Sequence, residues 1–181
     1  MSSNLVVVVE QTAQREQGEP RWLTPEQRDA WIGLARVITW LPAALDAQLQ
    51  RDSGMSHVEY QVLSWLSMTP GRRARMSTVA EVANVNLSHL SRVVARLESR
   101  GWVERRPDPD DGRYTLAILT EAGWTTVVEA APGHVETVQR FVFDQLSAEQ
   151  TSALQEIGTL IARGIRPESE APRPPWAQSD T

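Results

Sequence analysis

Apolar residues recur with helical period along most of this chain, and the sharpest case lies at 87–100. There Leu87, Leu90, Val93, Val94 and Leu97 stand three and four apart, the spacing that brings side chains onto one helix face. With each residue turned about 100° from the last, these five fill one arc. Ser88, Arg92, Ala95, Arg96 and Ser99 lie opposite, His89 stands at the edge, and Ser91 lies well round from the outward pole. One face is predicted to be core. The other is small, hydroxylated and cationic, with Glu98 the one acid of the helix, near the core side. Asn86 is suited to cap the start and Gly101 to end the helix in the left-handed conformation.

The pattern changes after Gly101. Residues 102–106 and 114–119 have strand composition. The seven residues between them, 107–113, are proline-rich and polar with Asp111-Gly112 near the end, which predicts a projecting turn with Arg113 at or near its tip. Ahead of the 87–100 helix, Met76, Val79, Ala80 and Ala83 share one side of a short helix over 76–83, with Ser77 or Thr78 as its cap. The intervening residues 84–86 are few enough for a helix-turn-helix. Two short helices followed by a hairpin make a winged helix, whose second helix enters the DNA major groove with its early residues facing base edges.

Flanking segments read as further helices. Thr24-Pro25-Glu26-Gln27 is a capping box with Pro at the first helical position. It opens a helix to about residue 51 whose stripe is Trp31, Leu34, Ala35, Ile38, Leu41, Leu45 and Leu49, and Pro42 is expected to kink or split it. Ser56 and Glu59 form a second box before a helix to about Met68, which Thr69-Pro70-Gly71 ends. Arg72, Arg73 and Arg75 then crowd the approach to the helix-turn-helix, and of these Arg75 is the candidate for a DNA phosphate. Thr120 caps a helix that Pro132-Gly133 is expected to interrupt, with a helix resuming over 134–146. Ser147 and Gln150 box the last helix, which Gly164 is expected to stop. Two apolar helices at the C-terminus lack a further partner in the chain, and a homodimer supplies one. The valine-rich start, 1–21, reads as a disordered extension or weak strand and 167–181 as a disordered tail; 22–166 is the folded part.

Composition alters this picture in three places. The absence of cysteine removes disulfides, thiol switches and Cys-ligated zinc. The net charge of −5 argues against a generally basic coat. Yet 72–113 holds nine Arg against six acids, so an acidic body carries one basic module. Nothing approaches transmembrane length or a secretory signal, which predicts a cytoplasmic protein without membrane contact.

The run Leu90-Ser91-Arg92-Val93-Val94-Ala95-Arg96-Leu97-Glu98-Ser99-Arg100-Gly101, followed by Asp111-Gly112-Arg113 and Leu119-Thr120-Glu121-Ala122-Gly123, resembles the MarR family of bacterial transcription regulators. The resemblance implies a mainly α fold with a small β-hairpin wing: a winged helix-turn-helix DNA-binding lobe (about 56–119) plus a helical dimerisation region (22–52 and 120–164). It implies a homodimer on a pseudo-palindromic double-stranded DNA operator, by family default a repressor. It also gives Arg113 its role, insertion into a narrow minor groove, with Asp111 orienting it; the other reading of Arg113 is an exposed salt bridge within the hairpin. Candidate contacts on the helix are Ser88, His89, Ser91, Arg92 and Arg96. For Arg92 two readings stay open, a bidentate pair with guanine or a phosphate contact. Ser91 suits phosphate or backbone, and Arg96 phosphate.

The same resemblance implies release from DNA by a small aromatic or anionic effector bound between the dimerisation helices and the lobe. Candidates to line that pocket are Trp31, Trp40, His57, Tyr60 and Trp65, each equally a core or dimer residue. Lack of Cys departs from the family's thiol-oxidation sensors. Catalysis finds no support: His57, His89 and His134 are scattered, without metal-ligand spacing, phosphate loop or nucleophile elbow, so no cofactor is expected. The alternative is a ligand-binding or metal-sensing winged-helix protein with little or no direct DNA binding, since fold does not guarantee function.

Overall fold

The structure, a computed structural model, describes residues 20–165; the expectations for the valine run and for 167–181 lie outside the described residues. Two compact units divide the chain, Met1–Thr39 and Trp40–Thr181. Helix α1 (Pro25–Ser53) starts in the first unit with the expected box: Thr24 Oγ1 accepts from Gln27 N at 3.2 Å and Gln27 Oε1 accepts from Thr24 N at 3.0 Å. Within that unit Trp31, Ile32, Leu34, Val37 and Ile38 are exposed. Pro42 does not split α1, which is continuous. A proline removes one backbone donor but its φ is helical, and Leu41, Ala43, Ala44 and Leu45 around it are good helix formers.

The second unit adds α2 (His57–Met68), β1 (Arg73–Arg75), α3 (Met76–Val82), α4 (Leu87–Ser99), β2 (Val103–Pro107), β3 (Thr115–Leu119), α5 (Glu121–Phe141) and α6 (Ala148–Ile165), with short 3-10 turns at Pro70–Arg72 and Phe143–Gln145. The antiparallel sheet runs β1-β3-β2, with Arg75 opposite Leu116 and Val103 opposite Leu119. Strand β1, over 73–75, is an element the sequence pattern does not signal. Three residues are too few for an alternation signal; β1 exists because Ala74 pairs against the fully buried Ala117 of β3.

Caps set most boundaries. Ser56 and Glu59 form both bonds of their box, Asn86 Oδ1 accepts from His89 N at 2.8 Å, and Thr120 Oγ1 accepts from Gly123 N at 3.0 Å. Gly101 ends α4 at φ +73. Neither Ser77 nor Thr78 caps α3, because β1 delivers the chain directly into it with Arg75 at the cap position and no side-chain bond. Pro132-Gly133 does not interrupt α5, and the helix expected to reach 146 gives way to a 3-10 turn after 141. Gly164 does not stop α6, which reaches Ile165. A glycine ends a helix by taking positive φ, as Gly101 does; otherwise it costs a helix about 1 kcal/mol.

The core gathers Leu63 and Leu66 of α2, Leu90, Val93, Val94 and Leu97 of α4, Val103 of β2 and Leu119 of β3 around Leu49 and Met55. Leu87, expected among them, is 54% exposed. α5 starts hard against the hairpin: a Cβ on Gly123 would collide with the Trp102 carbonyl oxygen and come within 2.7 Å of Leu119 Cδ1. α6 differs from every other long helix of this unit in having no buried residue; Leu154, Ile157, Leu160 and Ile161 are all exposed. No helix among the described residues is long and apolar enough to cross a membrane.

Candidate nucleic-acid interface

Helix α4 and the β2–β3 wing meet at a notch of about 430 Å³, walled by Leu87 and Ser91 of the helix and by Arg113, Tyr114, Arg105 and Arg75. Its order comes from the wing turn. Asp108 N donates to Tyr114 O at 2.9 Å and Tyr114 N to Asp111 O at 3.0 Å, closing the loop. The Asp111 carboxylate grips Arg113, accepting from Nε at Oδ1 (2.9 Å), from Nη2 at Oδ2 (2.6 Å) and from the Arg113 backbone N–H (3.2 Å). That grip lowers the Asp111 pKa and raises that of Arg113, so both are charged across the working pH range. Arg113 remains 84% exposed. A guanidinium oriented at its root and open at its tip is fit for an anionic groove.

The structure places the other candidate cations in different circumstances. Arg75 Nε donates to Asp108 Oδ2 at 2.7 Å and its guanidinium stacks over Tyr114 at 4.2 Å. Asp108 is buried, also accepts from Asp110 N, and its pKa is lowered first by that backbone bond and then by Arg75. Arg96 Nε donates to Glu59 Oε1 at 2.8 Å. Burial alone would raise the Glu59 pKa, but the Ser56 N–H, Arg96 and Arg100 outweigh it and hold the carboxyl low. Arg72 reaches Glu121 at 2.9 Å and lies over Trp124. Arg92 is exposed and enters no ion pair or hydrogen bond among the described residues, and Arg73 is likewise exposed and unpaired. Ser88 is exposed and Ser91 and His89 are half-buried.

Sequence reasoning missed Asp108 as the buried anchor of the wing. A short-range signal existed, since Asp108 precedes a Pro and sits two residues before Asp110, an arrangement suited to an Asx turn; its pairing with Arg75 is 33 positions distant.

A second feature is an apolar groove of about 840 Å³ on the other side of α2. His57, Tyr60 and Trp65 line it with Trp124, His134 and Phe143, among others. Trp31 and Trp40 are not in its lining; they are 55% and 65% exposed. Tyr60 and His134 are 4.5 Å apart between ring centroids and His57 and His134 6.0 Å. Both histidines bury an Nδ1 without a hydrogen-bond partner. Burial lowers both pKa values, opposed at His57 by Asp46 and reinforced at His134 by His57. Among the described residues no group of three or more His, Cys, Asp or Glu is placed to hold a metal ion.

Comparisons with known proteins agree with this geometry. The sequence model of the MarR family matches residues 53–113. The chain is 44% identical to Sco3205, a MarR family transcriptional regulator from Streptomyces coelicolor whose structure was solved in complex with DNA; the match covers 82% of this chain and 97% of that one at a TM-score of 0.77. AbsC, a MarR family transcriptional regulator from the same organism, is 34% identical over 82% of this chain and all of that one, at a TM-score of 0.76. Among curated sequences, the uncharacterized HTH-type transcriptional regulator YdcH of Bacillus subtilis is 30% identical over 106 residues, 57% of this chain and 72% of that protein.

Proposed function

The chain belongs to the MarR family of transcriptional regulators, and from that premise we propose that it is a homodimeric, sequence-specific double-stranded DNA-binding regulator that responds to a small-molecule effector. The observation that carries the reading is the notch between α4 and the wing, where the exposed Arg113, held by Asp111, stands beside Leu87 and Ser91 of the recognition helix. In the winged-helix geometry α4 enters the major groove and the wing reaches the minor groove. Ser88 and Arg92 face base edges and Arg113 the minor groove. Arg92 enters no side-chain ion pair or hydrogen bond among the described residues, so pairing with guanine or phosphate breaks none of those the described residues make. Arg75 and Arg96 already hold buried carboxylates; they are first of all positioning residues that fix the wing and α4, with their free guanidinium nitrogens left for phosphate.

The dimer is supported by α6, whose apolar face is exposed among the described residues, and by the exposed apolar residues of 25–38 in the first unit. A two-fold dimer places two α4 helices on half-sites about 34–36 Å apart. The effector seat is the groove lined by His57, Tyr60, Trp65 and His134. Its apolar walls suit an aromatic compound. Repression is the expected direction of control.

The test is a random-sequence DNA selection followed by a salt titration on the selected site, with Arg113→Ala and Arg92→Ala beside wild type. Binding should weaken steeply with salt. Arg113→Ala should lose about tenfold or more, and Arg92→Ala should relax preference at one base position per half-site if it reads guanine, or flatten the salt slope by about one per site if it holds phosphate. Weak binding that is the same for all three proteins would overturn the reading.

A further inference from the structure

Leu87 is the apolar position of α4 that the core does not take. Leu90, Val93, Val94 and Leu97 of the same stripe are fully buried, whereas Leu87 is 54% exposed. It is the first residue of the helix, directly after the Asn86 cap, and it walls the notch together with Ser91 and Arg113. Exposed Ser88 follows it. We propose that Leu87 is a specificity-determining residue that recognises the C5-methyl group of a thymine in the major groove.

The inference rests on the DNA-binding reading above and adds a base to it. Early residues of a recognition helix face base edges. Of the groups that distinguish base pairs in the major groove, the thymine C5-methyl is the one that is bulky and apolar, and the others are hydrogen-bond donors and acceptors. A leucine pressed onto a donor or acceptor strips its water and returns no bond, which is unfavourable; pressed onto a methyl, it loses only apolar hydration, which is favourable. Arg75 and Arg105 line the same notch, each paired with a carboxylate, Asp108 and Glu98, and their remaining guanidinium nitrogens draw in the phosphate backbone. Closing the duplex on α4 then removes water from Leu87 whatever base lies beneath, so the residue favours thymine by attraction and disfavours cytosine, whose amino group would be left unpaired.

Uracil is the clean probe, since it keeps every hydrogen-bonding group of thymine and lacks only the methyl. On the site obtained by selection with wild type, each thymine is replaced in turn by uracil, and binding is measured for wild type, Leu87→Ala and Leu87→Met. Thermal unfolding of each variant reports that the fold is intact, as an exposed first-turn position leads one to expect. One thymine per half-site should weaken wild-type binding about fourfold when demethylated, the equivalent of one methyl-sized apolar contact. Leu87→Ala should bind the thymine and uracil sites alike, and Leu87→Met should keep the discrimination.

A wild type indifferent to uracil at every position overturns the proposal. So does a Leu87→Ala protein that keeps the full uracil effect. A uniform loss in Leu87→Ala without any uracil effect assigns the side chain to sugar packing and also overturns it. Failure of the underlying reading looks different: wild type then forms no salt-sensitive specific complex on any selected DNA.

Discussion

Helices α4 and α6 carry equally clear apolar stripes and meet opposite fates. In α4, four of the five stripe residues are fully buried and the helix is tied down at both ends, by the Asn86 cap and by Gly101. In α6, Leu154, Ile157, Leu160 and Ile161 repeat at the same spacing, the Ser147–Gln150 box caps it as well, and no residue is buried. Periodicity therefore reports that a helix has an apolar face. It does not report what covers that face. For α4 the cover is α2 and the sheet of the same unit; for α6 we assign it to a second copy of the chain.

The largest effect that sharpens this contrast is a pair of substitutions. Leu97→Ala should cost about 2–5 kcal/mol, the range for emptying a fully buried leucine site, and should do so independently of protein concentration in denaturant unfolding. Ile157→Asp with Leu160→Asp should instead convert dimer to monomer in sedimentation and remove the concentration dependence of the melting temperature. A double variant that stays dimeric would break the comparison, since the exposed face of α6 would then have some other cover.

Next in size is Gly123→Ala. The added Cβ must displace the Trp102 carbonyl or the start of α5, and overpacking of this kind costs about 1–3 kcal/mol. Urea unfolding measures it; an unchanged midpoint would mean that α5 shifts freely against the hairpin.

Glu59→Gln should cost about 1–2 kcal/mol. Glu59 serves two elements at once: Oε2 accepts from Ser56 N to cap α2 and Oε1 accepts from Arg96 on α4. Arg96 is half exposed, so solvent screening keeps the ion pair's share small. The Glu59 carboxyl is held below its ordinary 4.5. Its contribution is thus full above that pH and fades as pH falls through the lowered folded value. The variant should flatten the acid limb of the stability profile.

The smallest effect separates the groove from the DNA face. His57 and His134 have folded pKa values below the ordinary 6.5. The unfolded chain therefore binds protons first as pH drops, and stability should fall from about pH 6.5 downward until the folded histidines protonate in turn. Asp46 opposes the shift at His57, so His134→Asn should remove more of this slope than His57→Asn. Equal slopes in wild type and His134→Asn, by thermal melts between pH 5 and 8, would show that the His134 imidazole is not kept neutral by its burial.

Much of the candidate interface was legible because it is local. The cap at Asn86, the stripe of α4, the left-handed Gly101 and the Asp111–Arg113 pair all lie within a few residues of their partners, and short-range sterics and hydrogen bonding decide them. So are the boxes at Thr24, Ser56 and Ser147. Pro132 and Gly164 misled because a local cost was read as termination, whereas a helix continues through either when packing on both sides holds it; of the two outcomes expected at Pro42, the split does not occur.

What only tertiary structure decided depends on residues distant in sequence. Strand β1 exists through pairing with β3 more than forty positions later, counted from Arg73 to Ile118. Arg75 and Arg96 are turned from free cations into partners of Asp108 and Glu59 by contacts 33 and 37 positions apart. Leu87 looks like core on the helical wheel and is left outside because the core beneath α4 begins at Leu90. Sequence by itself determined that the helices exist, the caps at Thr24, Ser56, Asn86, Thr120 and Ser147, and the charge of the wing, since each is settled by the chain's own neighbours. Which cations are occupied, which leucine faces outward and which helix lacks a cover were settled by folding, because burial is a property of the packed assembly and not of any one element.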